Sequence, residues 1–355
     1  MLALLFSGCA LFVTPPEKTV CSELSARVSA ENYQFILLGD LHYDNREHHT
    51  SAMLEKRKRE IERNLSHWQK NAPGIVNAAK SKITRNTLFA VQLGDITQGD
   101  AKSQEDQKAL FTEALVNIAE PMREKSLPFF VVKGNHDFRS PGKGDAFESV
   151  MTPFIQSQLP AGSEITGSNY AFRHGKDLFM FVDCQNPDVE FMKRILESNK
   201  DVRHLFVLDH LPVLPYGAGG SKWILFGERQ GKLQEFRSEF RRLLASRNGI
   251  VLTGHVHDNS LSQYVNGGSI TQITVSSMEF SNGDYPPVKD GFSEGELKKN
   301  RKSDDEFLDE FIPFMKLYKR TFGGGYAVVK VKGNAVEIEY FHGIADTASF
   351  SWKLK

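Results

Sequence analysis

Three apolar segments of the sequence end in the same kind of short polar corner. The corners are Gly39-Asp40, Gly94-Asp95 and Gly134-Asn135, and His42 and His136 lie beside two of them. A glycine lets the backbone turn sharply where a strand ends. The polar side chain that follows can then project from the carboxyl end of the strand, which is the edge where open α/β sheets bind their ligands. These residues are therefore candidates for binding a group at that edge.

Two later segments place further histidines at the ends of predicted strands. His210 follows an apolar run, and His255 and His257 follow Thr253-Gly254. Imidazole nitrogens combined with carboxylate and amide oxygens suit zinc, manganese or iron. A carboxylate such as that of Asp95 has two oxygens and can bridge two ions. Two ions about 3.5–4 Å apart can clamp both the attacking and the leaving oxygen of a phosphoryl displacement.

Strands and helices alternate along the part of the chain that carries these residues. Strands are predicted at 35–38, 88–93, 129–133, 178–183, 205–209, 250–253, 270–275, 326–331 and 335–340, and helices at 52–69 and 104–124. This alternation is typical of βαβ units and a buried sheet. Lys332-Gly333-Asn334 predicts a hairpin turn between the last two strands.

The ordered set of motifs resembles the calcineurin-like metallophosphoesterase superfamily and is similar to that of class III cyclic-nucleotide phosphodiesterases. The motifs are Asp40-x-His42, Gly94-Asp95, Gly134-Asn135-His136-Asp137, His210 and Gly254-His255-x-His257. A single histidine would be interpreted as structural. All the motifs in order, each behind an apolar run, favour a catalytic site.

The resemblance implies a fold, a cofactor and a role for each motif residue. The fold is α/β, a four-layer sandwich of two mixed β-sheets flanked by helices. The cofactor is a pair of divalent or trivalent metal ions, manganese, zinc or iron. Asp40, His42 and His257 would hold one ion, Asn135, His210 and His255 the other, and Asp95 would bridge them. His136 would be catalytic at the phosphoryl group or the leaving oxygen, with Asp137 orienting it.

The implied activity is hydrolysis of a phosphate mono- or diester, with a hydroxide that bridges the two ions as nucleophile and a small molecule as substrate. A nuclease is one alternative, but it needs a basic groove. Lys plus Arg and Asp plus Glu both number 44, so no nucleic-acid partner is expected. A non-catalytic scaffold is the other alternative, but such members of the fold have typically lost ligands, and every ligand type is present here.

Composition and the chain ends set the broad class. The 40% hydrophobic and 25% charged residues exclude a largely disordered chain and a polytopic membrane protein. The apolar start MLALLFSGCALFV is too short to span a bilayer, which needs about 20 residues. It fits an export signal, and Phe6-Ser7-Gly8-Cys9 resembles a bacterial lipobox. We expect an exported enzyme, periplasmic or anchored to a membrane surface through a lipidated Cys9; the alternative is a cytoplasmic enzyme.

The domain organisation follows from these patterns. Residues 1–22 are interpreted as a signal or lipoprotein segment with a tether, and residues 31–345 as a single phosphoesterase domain. Residues 283–320 are polar and charged, which predicts a surface insertion with one helix near 305–319.

The sequence also predicts the surroundings of the motifs. The charged helix 52–69 lengthens the gap between the first two motifs and is expected to cover one rim of the site. Its basic run Lys56-Arg57-Lys58-Arg59 has acidic neighbours and is expected to form a solvated face. His48-His49 lies in a polar stretch and is expected at the surface. Gln98 stands three residues after Asp95, where purple acid phosphatases carry a metal-binding tyrosine.

Overall fold

The computed structural model describes residues 21–24, 27–142, 144–215, 223–278, 289–290 and 309–355. Cys9 and the predicted export signal lie outside these ranges, as does most of the predicted insertion 283–320, so those predictions stay predictions. Among the described residues, no helix is both long enough and apolar enough to cross a membrane.

Two β-sheets form the centre of the described structure. Their strands are β1 (Ser22–Glu23), β2 (Asn32–Leu38), β3 (Thr87–Gln92), β4 (Phe129–Val131), β5 (Ile165–Thr166), β6 (Asn169–His174), β7 (Asp177–Phe181), β8 (His204–Leu208), β9 (Gly249–Thr253), β10 (Asn259–Val265), β11 (Ser269–Thr274), β12 (Lys289–Asp290), β13 (Met315–Thr321), β14 (Gly325–Lys332), β15 (Ala335–His342) and β16 (Phe350–Lys353).

The helices lie in the segments between these strands. They are α1 (Ser51–Lys56), α2 (Lys58–Lys70), α3 (Ala72–Ser81), α4 (Gln104–Ala114), α5 (Glu120–Arg123), α6 (Asp145–Gln158), α7 (Val189–Ser198) and α8 (Phe236–Ser246). A π-helical turn over Leu115–Ala119 joins α4 to α5, and short 3₁₀ segments cover Arg46–His48, Glu228–Glu235 and Ile312–Phe314. The predicted helices 52–69 and 104–124 are thus confirmed.

The two sheets are both mixed, as expected. The smaller has the order β16-β15-β14-β2-β3-β4, and the larger has the order β1-β6-β7-β8-β9-β11-β10-β13-β12, with β5 paired to β6. Strands β2, β3 and β4 are parallel, and so are β7, β8, β9 and β11. Helices α3 and α6 pack on the smaller sheet and α8 on the larger. The predicted four-layer sandwich is confirmed.

Phenylalanines fill the space between the two sheets. Phe35 and Phe89 of the smaller sheet stack with ring centroids 4.9 Å apart. Phe179 and Phe206 of the larger sheet also stack at 4.9 Å, and Phe179 meets the ring of Phe35 edge-on at 5.5 Å. All four are fully buried, and replacing such a side chain by alanine costs about 3–5 kcal/mol. This core makes a rigid platform for the loops at the strand ends.

The parallel strands direct one set of loops to a common edge. Strands β2, β3 and β4 of the smaller sheet and β8 and β9 of the larger are each followed directly by predicted site residues. The alternation of strand and helix between β2 and β4 confirms the predicted βαβ units. The site therefore forms between the carboxyl ends of strands from both sheets, as ligand sites in α/β folds do.

The structure departs from the predicted elements near the carboxyl end of the chain. The helix predicted near 305–319 is wrong over its last residues, because Met315–Thr321 forms β13 and pairs with β10. The backbone of β10 offers hydrogen-bond partners to this segment, and this tertiary pairing outweighs the local charge pattern that predicted a helix. Strands β1 and β16 lie outside the predicted domain 31–345, yet both pair with its strands. The predicted hairpin at Gly333 is confirmed, since Lys332 pairs with Ala335.

His48 and His49 are built into a polar cluster, so the expectation that they face solvent is wrong. Nε2 of His49 lies 2.7 Å from Oδ1 of Asp44, and both side chains are fully buried. The two ring nitrogens of His48 lie 3.1 Å from Oδ1 of Asp106 and 2.9 Å from Oε1 of Glu113. Helix α4 supplies both carboxylates and encloses the turn that follows the first motif.

His48 should make stability fall as pH rises. Burial opposes its charged form, but the hydrogen bonds that the ring donates to Glu113 and Asp106 raise its pKa above the usual value. A raised folded pKa gives stability that is complete below the unfolded pKa of about 6.5 and is lost as pH rises through the folded value. We expect His48→Gln to lower the free energy of unfolding more at about pH 5.5 than at about pH 8.5, measured by urea titration.

His342 provides the opposite control. Burial lowers the pKa of this ring to about 4, so the wild-type protein loses stability from this position as pH falls below about 6.5. The destabilisation caused by His342→Gln should therefore shrink at acid pH. A His48→Gln effect that is equal at both pH values would contradict the doubly hydrogen-bonded, protonated ring.

Candidate metal centre

The predicted ligand residues come together at the common edge of the two sheets. Asp40 follows β2, Asp95 follows β3 and Asn135 follows β4, all from the smaller sheet, while His210 follows β8 and His255 follows β9 of the larger. Because these are the carboxyl ends of parallel strands, residues distant in the chain meet in one cleft.

The motif glycines are required because side chains of the site lie directly against them. A Cβ at Gly94 would lie 2.4 Å from Nδ1 of His210, and one at Gly134 would lie 2.2 Å from Oδ1 of Asp95. A Cβ at Gly254 would lie 2.7 Å from Oδ2 of Asp40. The glycines thus do more than turn the chain, because they make room for the ligand atoms.

Four site residues adopt left-handed backbone conformations that side chains other than glycine rarely take. The φ angles are 44° for His42, 53° for Asp95, 69° for His255 and 55° for His257. Each such residue costs about 1–3 kcal/mol, and such strain concentrates at functional sites. The strained turns aim the four side chains into the cleft.

The first ligand cluster consists of Asp40, His42, Asp95 and His257, whose ligand atoms all lie within 4.8 Å of one another. Nε2 of His42 lies 3.2 Å from Nε2 of His257 and 3.7 Å from Oδ2 of Asp95. Nε2 of His257 lies 3.5 Å from Oδ1 of Asp40. The backbone N–H of His255 donates to both oxygens of Asp40, at 3.1 and 2.9 Å, and so orients that carboxylate.

The second cluster consists of Asp95, His210 and His255, again within 4.8 Å of one another. Nε2 of His210 lies 3.3 Å from Oδ2 of Asp95 and 3.2 Å from Nδ1 of His255. Oδ1 of Asn135 lies 3.1 Å from the same nitrogen. Asp95 belongs to both clusters, which is the position of a bridging carboxylate.

The hydrogen bonds of His210 show that these atoms fit a cation. Its Nδ1 lies 2.9 Å from the carbonyl oxygen of Leu93, which can only accept, so Nδ1 carries a hydrogen. Nε2 faces Asp95, Asn135 and His255. Although burial opposes the charged form, the neighbouring Asp95 raises the pKa of His210 to about 10, so without a metal ion Nε2 carries a proton. That proton can satisfy one of the three neighbours, whereas a metal ion can be bound by all.

Burial and neighbouring charges hold His42, His255 and Asp95 in the protonation states that bind metals. Burial, with His136 close by, holds the pKa of His42 well below its usual value. Burial and the neighbouring His210 do the same to the pKa of His255. Although burial opposes its ionisation, the histidines around Asp95 hold the pKa of that carboxyl well below normal. Neutral imidazoles and an ionised carboxylate are the metal-binding forms.

His136 directs one ring nitrogen towards the clusters. Its Nδ1 lies 2.8 Å from the carbonyl oxygen of Gln98, which can only accept, and 3.2 Å from Nη1 of Arg139, which can only donate. The shorter contact favours a hydrogen on Nδ1. Its Nε2 lies 4.0 Å from Oδ2 of Asp95, and its backbone N–H donates to Oδ1 of Asp95 at 2.7 Å. His136 therefore lies beside the two clusters without belonging to either.

Asp137 does not contact the ring of His136 in the way that was expected, because its carboxylate is directed at the backbone. Oδ2 accepts from the N–H of Gly134 at 2.9 Å, and Oδ1 accepts from the N–H and the hydroxyl of Thr97 at 3.0 and 3.1 Å. Asp137 therefore ties together the two turns that carry Asp95 and Asn135. The carbonyl oxygen of Gln98 makes the orienting contact to the ring instead.

A model of the calcineurin-like phosphoesterase family matches residues 33–259. The chain belongs to this family. Its fold is similar to that of the solved structure of PhoD, with 12% identity and a TM-score of 0.56 over 95% of this chain and 72% of that chain. A dimetal phosphatase from Danio rerio shows 13% identity and a TM-score of 0.53 over 91% of this chain and 98% of that one. No curated protein sequence matches the chain.

In this member of the calcineurin-like phosphoesterase family, the rim of the site includes residues outside the motifs. Glu60 of α2 extends into the site, and its Oε1 lies 3.6 Å from Nε2 of His136 and 3.0 Å from Nη1 of Arg139. The inserted helix therefore covers one rim, as expected. In the basic run, Arg57 is half-buried and pairs with Glu60, so the expectation of a solvated face fails there. In the sequence, Glu60 is one acid among many charged residues, and no pattern singles it out.

Proposed function

We propose that the protein hydrolyses a phosphate mono- or diester with two metal ions held at this site. Asp40, His42 and His257 would hold one ion, Asn135, His210 and His255 the other, and Asp95 both. The observation that carries the proposal is that one carboxylate belongs to two ligand clusters. One of the solved structures with this fold is that of a dimetal phosphatase.

Some residues of the site would bind the metal ions or orient the ligands, and His136 would transfer a proton. Bound ions supply a nucleophile at neutral pH and neutralise charge on the phosphoryl group. The carbonyl of Leu93 fixes the ring of His210, and the backbone N–H of His255 fixes the carboxylate of Asp40. His136 directs Nε2 towards the clusters. Because Nδ1 already carries a hydrogen, the ring would donate a proton from Nε2 to the leaving oxygen as an imidazolium. Burial lowers the pKa of the ring to about 4, so the anionic phosphoryl group would have to stabilise that form. The donor set of carboxylate, amide and imidazole atoms fits manganese, zinc or iron.

A small phosphoester is a better substrate for this site than a nucleic acid. Of the cations beside His136, Arg139 lies 3.0 Å from Glu60, and Arg57 pairs with Glu60 at 2.7 Å and with Asp100 at 3.3 Å. Paired guanidinium groups do not form the basic groove that a phosphodiester backbone needs. A non-catalytic scaffold does not require a complete set of metal ligands, and every predicted ligand type is present here.

Metal removal and reloading test the proposal. We expect a chelator to abolish hydrolysis of p-nitrophenyl phosphate or bis-(p-nitrophenyl) phosphate, and manganese, zinc or iron to restore it with two ions per chain. The ratio of the two rates decides between monoester and diester. Two bound ions without turnover of either ester would favour the scaffold, and cleavage of an oligonucleotide at comparable rates would favour the nuclease.

A further inference from the structure

Helix α2 contacts the ring of His136 directly. The helix lies in the long insertion between β2 and β3, and Glu60 is in its first turn. Oε1 of Glu60 lies 3.6 Å from Nε2 of His136, the nitrogen that faces Asp95. The proposed proton donor thus has a carboxylate from the inserted helix beside its reactive nitrogen.

Two arginines hold Glu60 in this place. Nη1 of Arg57 donates to Oε2 at 2.7 Å, and Nη1 of Arg139 donates to Oε1 at 3.0 Å. Oδ2 of Asp100 lies 3.3 Å from Nε of Arg57 and 4.0 Å from Nη1 of Arg139. Two cations and two anions therefore form a closed ring of ion pairs. Because each carboxylate meets two guanidinium groups, the position of Glu60 is fixed by more than one contact.

A second route leads from the same helix to the other nitrogen of the ring. Asn64, also on α2 and fully buried, donates from Nδ2 to Oε1 of Gln98. Nε2 of Gln98 donates to Oε1 of Glu60 at 3.4 Å. The backbone carbonyl of Gln98 then meets Nδ1 of His136 at 2.8 Å. Helix α2 thus acts on both edges of the imidazole.

We propose that Glu60 is a positioning residue for His136, an inference that rests on the proposed phosphoesterase function. Glu60 holds the ring so that Nε2 faces the leaving oxygen, and the arginine pair holds Glu60. The role expected for Asp137 is therefore shared by the carbonyl of Gln98 and by Glu60 of the insertion. Small displacements of a reacting group cost up to about a hundredfold in rate. The effect falls on esters with poor leaving groups, since these need the proton from His136.

Glu60→Gln tests this role because it keeps the size of the side chain and removes its charge. We expect kcat for phenyl phosphate to fall about tenfold or more, with KM within about twofold and two ions still bound. The loss should be smaller for p-nitrophenyl phosphate, whose leaving group needs little help. Glu62→Gln is the matched control, since Glu62 lies on the same helix and is exposed; it should leave both rates unchanged.

A double-mutant cycle separates positioning from a purely structural role. If Glu60 acts through His136, Glu60→Gln should change the rate by less than about twofold in a His136→Ala background. An undiminished further loss in that background would overturn the proposal.

Nuclear magnetic resonance gives a readout that does not depend on turnover. In the zinc-loaded full chain, the ring ¹⁵N signals of His136 are identified by their loss in His136→Ala. Glu60→Gln should shift these signals and Glu62→Gln should not. Unmoved signals would overturn the role of Glu60. A shift in a protein that hydrolyses no ester would support the contact and place the failure in the proposed function.

Discussion

Asp95→Asn should lose at least about a hundredfold in phosphoesterase activity together with bound metal. Asp95 is fully inside the site, and Oδ2 lies 3.3 Å from Nε2 of His210 and 3.7 Å from Nε2 of His42. The substitution removes the one negative charge that both ligand clusters share and puts an N–H donor among atoms that face a cation. Elemental analysis and hydrolysis of an aryl phosphate measure the two losses.

A control for Asp95→Asn must remove a carboxylate elsewhere without disturbing the fold. Asp346 serves, because its side chain is 93% exposed, and Asp346→Asn should keep both ions and the full rate. The fold of Asp95→Asn is checked by thermal unfolding. Two ions per chain with near-normal turnover in Asp95→Asn would show that this carboxylate does not bridge.

His136→Ala should keep both ions and lose about 10²–10⁴ in rate. His136 belongs to neither ligand cluster, so its removal leaves the metal-binding atoms in place. The loss falls on proton transfer to the leaving oxygen, since Nε2 faces the clusters while Nδ1 meets the carbonyl of Gln98. Metal content and kcat, measured on the same preparation, separate the two effects.

The choice of ester shows what His136 does. The phenolate of an aryl phosphate with a strongly acidic phenol leaves without a proton. His136→Ala should therefore slow hydrolysis of this ester less than hydrolysis of an alkyl phosphate. An equal loss for both esters would mean that His136 positions the phosphoryl group and donates no proton. Loss of metal in His136→Ala would instead place this residue among the ligands.

Local patterns in the sequence identified the residues that the structure brings together in the two clusters. Each lies within a few positions of an apolar run that ends at a turn, and β-strand propensity, the turn glycines and the residue types are properties of short segments. The order of the motifs along the chain then predicted the family, which the match over residues 33–259 confirms. The alternation of strands and helices predicted βαβ units and a buried sheet, and the resemblance to the family implied the four-layer sandwich.

Contacts between distant segments were decided by the tertiary structure alone. Glu60 and Arg139 are 79 residues apart in the chain, and nothing around either residue indicates that they meet beside His136. The carboxylate of Asp137 binds the backbone of the preceding turn, although its position next to His136 suggested otherwise. His48 is enclosed by carboxylates of α4, and β13 forms because β10 offers an open edge. Which partner a charged or polar side chain takes depends on the packing of whole elements, because a hydrogen bond or an ion pair requires the right distance and direction, and these are set by the three-dimensional arrangement of strands and helices.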